Sequence, residues 1–302
     1  MKFPFIRYTK VWLTIASATV VICLAMVIGW GLKPGIDFTG GSLMELTFSK
    51  NRPDVAPMQK VFEDLGQKDA IIQKSGDSKM LVRTGFLQEE QHQKALKAVK
   101  DTFEKDGTTV REDSFETIGA VVSQQLRQRS IWAISLVCIS IILYLAYAFR
   151  KVSKPIASWK YGLLAVVALV HDVILVLGVF AALGHFFGVE VDIAFVVAIL
   201  TVLGYSVNDT IVVYDRIREN LQRHSSPDFS EVVNNGLNET LARSINTTLT
   251  VLLPLFALFF IGGPTIHNFA LALLIGMASG AYSSIFIASP LLVVADRLQR
   301  RA

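Results

Sequence analysis

Cysteine is nearly absent: Cys23 and Cys138 are the only two in 302 residues, and neither has a CxxC or histidine-rich neighbourhood. That argues against a disulfide framework and against a zinc site. Charge is also scarce, at 18% of residues, where soluble domains carry about a quarter. There is no P-loop, no nucleophile with a placed base and no metal-ligand spacing, so the chain does not read as an enzyme or a metalloprotein. The net charge of +4 is spread without a clustered stripe, which argues against nucleic acid as a partner.

What the chain has in excess is apolar residues, 52% of the total, with a mean hydropathy of +0.47. Runs long enough to cross about 30 Å of hydrocarbon occur near residues 11–31, 130–149, 160–183, 192–213, 247–262 and 268–293. The pattern is one helix, a long gap, then five. Basic residues of the short loops all fall on one side: Lys2, Arg7 and Lys10; Arg150, Lys151, Lys154 and Lys160; Arg216, Arg218 and Arg223; Arg297, Arg300 and Arg301. The opposite connections, 184–192 and 262–268, have neither Lys nor Arg. The expectation is a multi-pass protein with both termini cytoplasmic and an uncleaved first helix.

Between the first two helices, GLKPGIDFTGGSLMELTFSK leads from a helix end at Pro34 and Gly35, through a turn at Gly40 and Gly41, into an alternating strand. A helix over 54–65 with Asp54 as N-cap, two short strands around 75–78, a helix over 88–103 and a strand over 108–119 follow. Strand, helix, strand, strand, helix, strand is the order of a ferredoxin-like α+β domain. The domains are thus 1–32 (tail and first helix), 33–128 (extracytoplasmic domain) and 129–302 (five-helix bundle). His92 sits on a polar helix and reads as solvated, and 123–131 reads as a surface approach to the second helix. Within 215–245, Phe229, Val232, Val233, Leu237 and Leu241 form an apolar stripe, read as a short amphipathic helix on the cytoplasmic face.

Three charged positions stand out. Asp209 lies inside the fourth apolar run, where an ionised carboxylate costs roughly 2.5–3.5 kcal/mol on insertion scales. It requires a partner, a proton or water, unless its place near the helix end simply wets it. Asn208 and Ser206 add polar groups there. Asp172, beside His171, lies near the middle of the third helix, where a functional and a packing reading both stand. Arg243 opens the fifth helix, as an ion-pair partner or a snorkelling arginine, and Asn246, Thr247, Thr248 and Thr250 give that helix a polar face. Glu190 and Asp192 read as interfacial. In the last helix, Ala272, Gly276, Gly280, Ser284 and Ala288 recur every fourth residue, a small-residue stripe for close helix packing.

GIDFTGG at 35–41, GYSVNDTIVVYDRIREN at 204–220 and LARSINTT at 241–248, with six helices and one inserted domain, make the whole chain resemble the SecD/SecF family of protein-export membrane proteins, on its SecF side. The resemblance implies one half of a resistance-nodulation-division (RND) fold in the bacterial inner membrane. It also implies a SecD partner, the SecYEG translocon, indirect contact with YajC and the SecA motor, and an unfolded secretory polypeptide as substrate. It makes protons the coupling ion, with no other cofactor, and places the coupling aspartate at Asp209 and its arginine at Arg243. Asp172 is the third candidate for proton coupling, with Asn208, His171 and Thr247 as supporting polar groups and Pro34, Gly35, Gly40 and Gly41 as a hinge. The alternatives are a structural subunit of the translocon and a subunit of an RND-type small-molecule or lipid transporter.

Overall fold

A computed structural model describes residues 3–105, 107–148, 156–223 and 228–300. Lys2, Arg150, Lys151, Lys154 and Arg301, which enter the topology argument, lie outside these residues, as does the side chain of Arg223. Two compact units are present: residues 34–130, and residues 1–33 with 131–302.

In the smaller unit a short turn of helix, α2 (Ile36–Thr39), enters β1 (Gly41–Phe48). Then come α3 (Val55–Asp64), β2 (Ile71–Ser75), β3 (Lys79–Thr84), α4 (Glu89–Phe103) and β4 (Val110–Ile118). The sheet is antiparallel with order β2-β3-β1-β4, the ferredoxin-like arrangement expected from the element order. Alternation along β1 sends Met44, Leu46 and Phe48 to one face, where they pack with Met58 and Phe62 of α3 and Ala95 and Val99 of α4. Register with β4 slips between Glu45 and Leu46, leaving Asp113 as the extra residue of a bulge. The bulge re-aims Asp113 to the opposite face of the sheet, where Thr47 donates to it at 2.7 Å and Lys79 reaches both it and Glu45.

His92 is buried, not solvated as expected. Its ring stacks on Phe115 of β4 at 3.7 Å, and Nε2 lies 2.6 Å from Glu112. The helix is polar overall, but His92 falls on the side that covers the sheet. Asp54 occupies the N-cap position of α3 as expected, but its side chain makes no capping bond and lies 2.5 Å from Lys74 Nζ instead. Two of the turn positions require glycine. Gly40 and Gly41 have φ of 73° and 114°, and a Cβ on Gly41 would come within 2.5 Å of the Thr84 carbonyl oxygen. Gly35 is extended at the start of α2, and the Pro34 carbonyl accepts from Arg83.

The larger unit contains α1 (Thr9–Trp30), the continuation of α5 (Ala120–Ala148), α6 (Ser158–Phe187), α7 (Ile193–Arg223), α8 (Phe229–Ile261), α9 (Pro264–Ser283), a π-helical turn (Ser284–Ala288) and α10 (Ser289–Gln299). Among the described residues, six helical spans are long and apolar enough to cross a membrane. The chain is a multi-pass membrane protein. α6, α7 and the α9–α10 span form the buried centre, while α1 and α5 expose Val21, Ile28, Leu136 and Leu143.

Two helix boundaries differ from expectation. Residues 123–131 lie within α5 itself, whose first turns tolerate polar side chains as readily as a loop would. The apolar stripe beginning at Phe229 does not form a separate surface helix, because α8 runs without a break from Phe229 to Ile261. Its Val232, Val233 and Leu237 are buried in the bundle core against the extension of α7, and a Cβ on Gly236 would stand 2.9 Å from Ile217. An amphipathic face fits a protein surface as well as a lipid one. Asn238 further ties α8 to the chain start, accepting from the Phe3 N–H at 2.7 Å and donating to the Phe3 carbonyl at 2.9 Å.

Candidate functional site

The stripe Ala272, Gly276, Gly280, Ser284 and Ala288 brings the last span hard against α7. A Cβ on Gly276 would lie 2.3 Å from Val202 Cγ2, and one on Gly280 would lie 2.8 Å from Ser206 Cβ. Such contact leaves no room for lipid or large side chains, so polar groups on these helices meet each other. The result is two buried carboxylates, each enclosed by hydroxyls.

Asp172 on α6 is fully buried. Its Oδ2 accepts from Ser206 Oγ of α7 and from Ser283 Oγ of α9, both at 2.7 Å, and its Oδ1 accepts from Ser279 Oγ at 2.6 Å. His171 Nδ1 lies 3.2 Å from Oδ1, while the ring of His171 faces Tyr282 at 6.1 Å. His171 Nε2 and the Tyr282 hydroxyl are buried and meet no hydrogen-bond partner among the described residues. Three serines on two helices thus take up the lone pairs that water would otherwise satisfy.

Asp209 on α7 is also buried, held by Ser244 of α8 at 2.7 Å on Oδ1 and by Ser284 of the π-helical turn on Oδ2. The turn starts at Ser284. A π turn bonds its backbone from i to i+5 instead of i+4, and two of its carbonyls also accept from side chains: Ser289 Oγ donates to the Ser284 carbonyl at 3.0 Å, and Tyr214 donates to the Ala288 carbonyl at 3.1 Å. Pro290, with no N–H, follows directly.

Arg243 is exposed and makes no side-chain hydrogen bond or ion pair among the described residues, so the structure does not bring it to Asp209. Successive helix residues point about 100° apart; with Ser244 facing α7, Arg243 turns away. The same geometry exposes Asn208 next to Asp209. Thr247 is exposed too, donating within its own helix to the Arg243 and Ser244 carbonyls at 2.9 and 3.1 Å. Asp192 caps α7, accepting from the Phe195 N–H at 2.7 Å. Ser284, read from the sequence as packing alone, does both jobs. Ser244, Ser279 and Ser283 do not stand out in the sequence; the one available signal is the i, i+4 spacing of Ser279 and Ser283 in an apolar run. Among the described residues, no group of three or more His, Cys, Asp or Glu side chains could hold a metal ion.

Comparison with known proteins fits this architecture. Residues 98–297 match the family model for the C-terminal part of the protein export membrane proteins SecD and SecF, and residues 31–51 match the SecD/SecF GG motif. The protein translocase subunit SecF of Thermobaculum terrenum is 40% identical over 97% of this chain and 92% of its own length. That of Synechocystis is 38% identical over 96% of this chain and 93% of its own length. The crystal structure of SecDF from Thermus thermophilus, a translocon-associated membrane protein, superposes with a TM-score of 0.84 at 31% identity over 97% of this chain. The chain spans 38% of that longer SecDF chain. It therefore belongs to the SecD/SecF family of protein-export membrane proteins, as a translocase subunit of the SecF kind.

Proposed function

We propose that this chain couples proton movement to protein export, with Asp209 as the group that gains and loses the proton. The observation that carries the reading is a carboxylate buried among helices with hydroxyl partners in place of a cation. Serine hydroxyls donate to an ionised carboxylate and accept from a protonated one, so they accommodate both states. A fixed ion pair would hold only the charged state. Asp172, in its own serine cage beside His171, is the supporting relay.

Arg243 enters when α8 turns. A rotation of about 100° would exchange Ser244 for Arg243 in front of Asp209 and favour the ionised form. Each proton descending the membrane potential supplies roughly 2.3 kcal/mol per 100 mV, enough to bias a two-state bundle by tens of fold. The sheet domain would pass this motion to an emerging polypeptide. The proposed setting is the bacterial inner membrane with both termini cytoplasmic, a SecD-type partner completing the RND-like pair, and the SecYEG translocon as its client. YajC and the SecA motor would be indirect partners.

The test is export of a secretory precursor into vesicles holding the translocon, the SecD partner and either this chain or Asp209→Asn, with and without a proton gradient. The expected result is normal assembly with loss of the gradient-dependent part of export. Unchanged gradient dependence would make the chain a structural subunit instead.

A further inference from the structure

Ser283 and Ser284 are consecutive residues, yet they serve different carboxylates: Ser283 donates to Asp172 on α6, and Ser284 to Asp209 on α7. Each hydroxyl also has a second acceptor within its own helix. Ser283 Oγ is 3.2 Å from the Gly280 carbonyl, and Ser284 Oγ is 3.1 Å from the Ala281 carbonyl. A serine hydroxyl carries one proton and can satisfy only one of these at full strength. While the carboxylate is ionised it is the stronger acceptor. Once it is protonated, the hydroxyl proton is better placed on the helix carbonyl. The junction between α9 and the π-helical turn, where both serines sit, is therefore sensitive to charge on either side.

We propose that Ser283 and Ser284 are positioning residues linking Asp172 and Asp209, so that proton occupancy at one carboxylate alters occupancy at the other through the start of the π-helical turn. This rests on the proton-coupling reading above. The turn is suited to the role because it departs from the α-helical ladder and two of its carbonyls also accept from side chains, Ser289 and Tyr214. The other titratable groups around the pair are few. His171 lies against Asp172, with Tyr282 of α9 behind it. On α8, Arg243 is exposed and touches neither carboxylate. The partners of Asp209, Ser244 and Ser284, are both uncharged.

A hydrophobic carbodiimide, which modifies protonated carboxyls in apolar surroundings, reads the link directly. Full-length protein in lipid vesicles is labelled at one pH, and modification at Asp172 and Asp209 is quantified separately by mass spectrometry. Ser284→Ala removes a donor from Asp209 alone. Labelling at Asp209 is expected to rise, and labelling at Asp172 to stay as it is, because the variant also removes the hydroxyl that carries the link. General loosening of the bundle would raise both. Ser244→Ala removes a donor from Asp209 and leaves both linking serines in place, so labelling at Asp209 should rise and labelling at Asp172 should fall by about threefold, a change within the net worth of one hydrogen bond. Equal effects of the two variants at Asp172, or none, would overturn the link while leaving the proton reading in place. Failure of both carboxylates to label at any pH in the unaltered protein would overturn the proton reading and this inference together.

Discussion

In the sheet domain the carboxylates of Glu45 and Asp113 converge on the ammonium of Lys79, at 2.6 and 3.0 Å, whereas in the bundle those of Asp172 and Asp209 converge on serine hydroxyls. Arg111 adds a second cation to Asp113 at 2.8 Å. Among the described residues, neither bundle carboxylate has a Lys or Arg partner. An ammonium fixes the charged form, while hydroxyls satisfy either form. The contrast separates carboxylates paired with cations from carboxylates satisfied by neutral donors.

The largest expected effect comes from opening the hydroxyl cage. Gly280→Val forces a side chain into Ser206, which is one of the donors to Asp172. A cost of roughly 3 kcal/mol is expected, as for overpacking in a tight core, read as a lower unfolding temperature in detergent. If the variant is as stable as the parent, the close α7–α9 approach does not hold the cage.

Removing the cation sharpens the other side. Lys79→Met leaves Glu45 and Asp113 facing each other without their shared partner, and should destabilise the sheet domain by roughly 1.5–3 kcal/mol. Acid should act in the same place. The hydrogen bond from Thr47, followed by those from Lys79 and Arg111, holds the Asp113 carboxyl at about 2, below its ordinary value of 3.8. Because the folded-state value is the lower one, this stabilisation is complete above the ordinary value and fades as the pH falls from about 4 through about 2. Amide exchange in β1 and β4 of the full-length protein, corrected for intrinsic rates, should show the loss, and Asp113→Asn should abolish it.

The smallest effect belongs to an exposed pair. Lys94 and Glu90, one helical turn apart on α4, are 67% and 80% exposed. Lys94→Gln should leave the unfolding temperature within about 1 °C, since solvent screens such pairs. A larger change would mean that cations in this domain matter by number and not by burial.

Much of this was legible in the residues. Asp209 and Asp172 declare themselves because an ionisable group in an apolar run is costly wherever it points. The ferredoxin-like order follows from alternating periods and turn residues, and six spans follow from the length and apolar composition of the runs. His92 escapes a reading from average polarity because a helix that is polar on average still has a covered side.

The sequence by itself therefore determined the fold class, the family and the two carboxylates, since each rests on composition, local period or motif. Only the tertiary structure decided their partners. Ser244 faces Asp209 and Arg243 does not, although they are adjacent in the chain, and Ser283 and Ser284 part toward different carboxylates. The physical reason is that a helix turns about 100° per residue. Which side chain meets a carboxylate is set by how the helices are rotated and how closely glycines let them approach, and neither is written in any one segment.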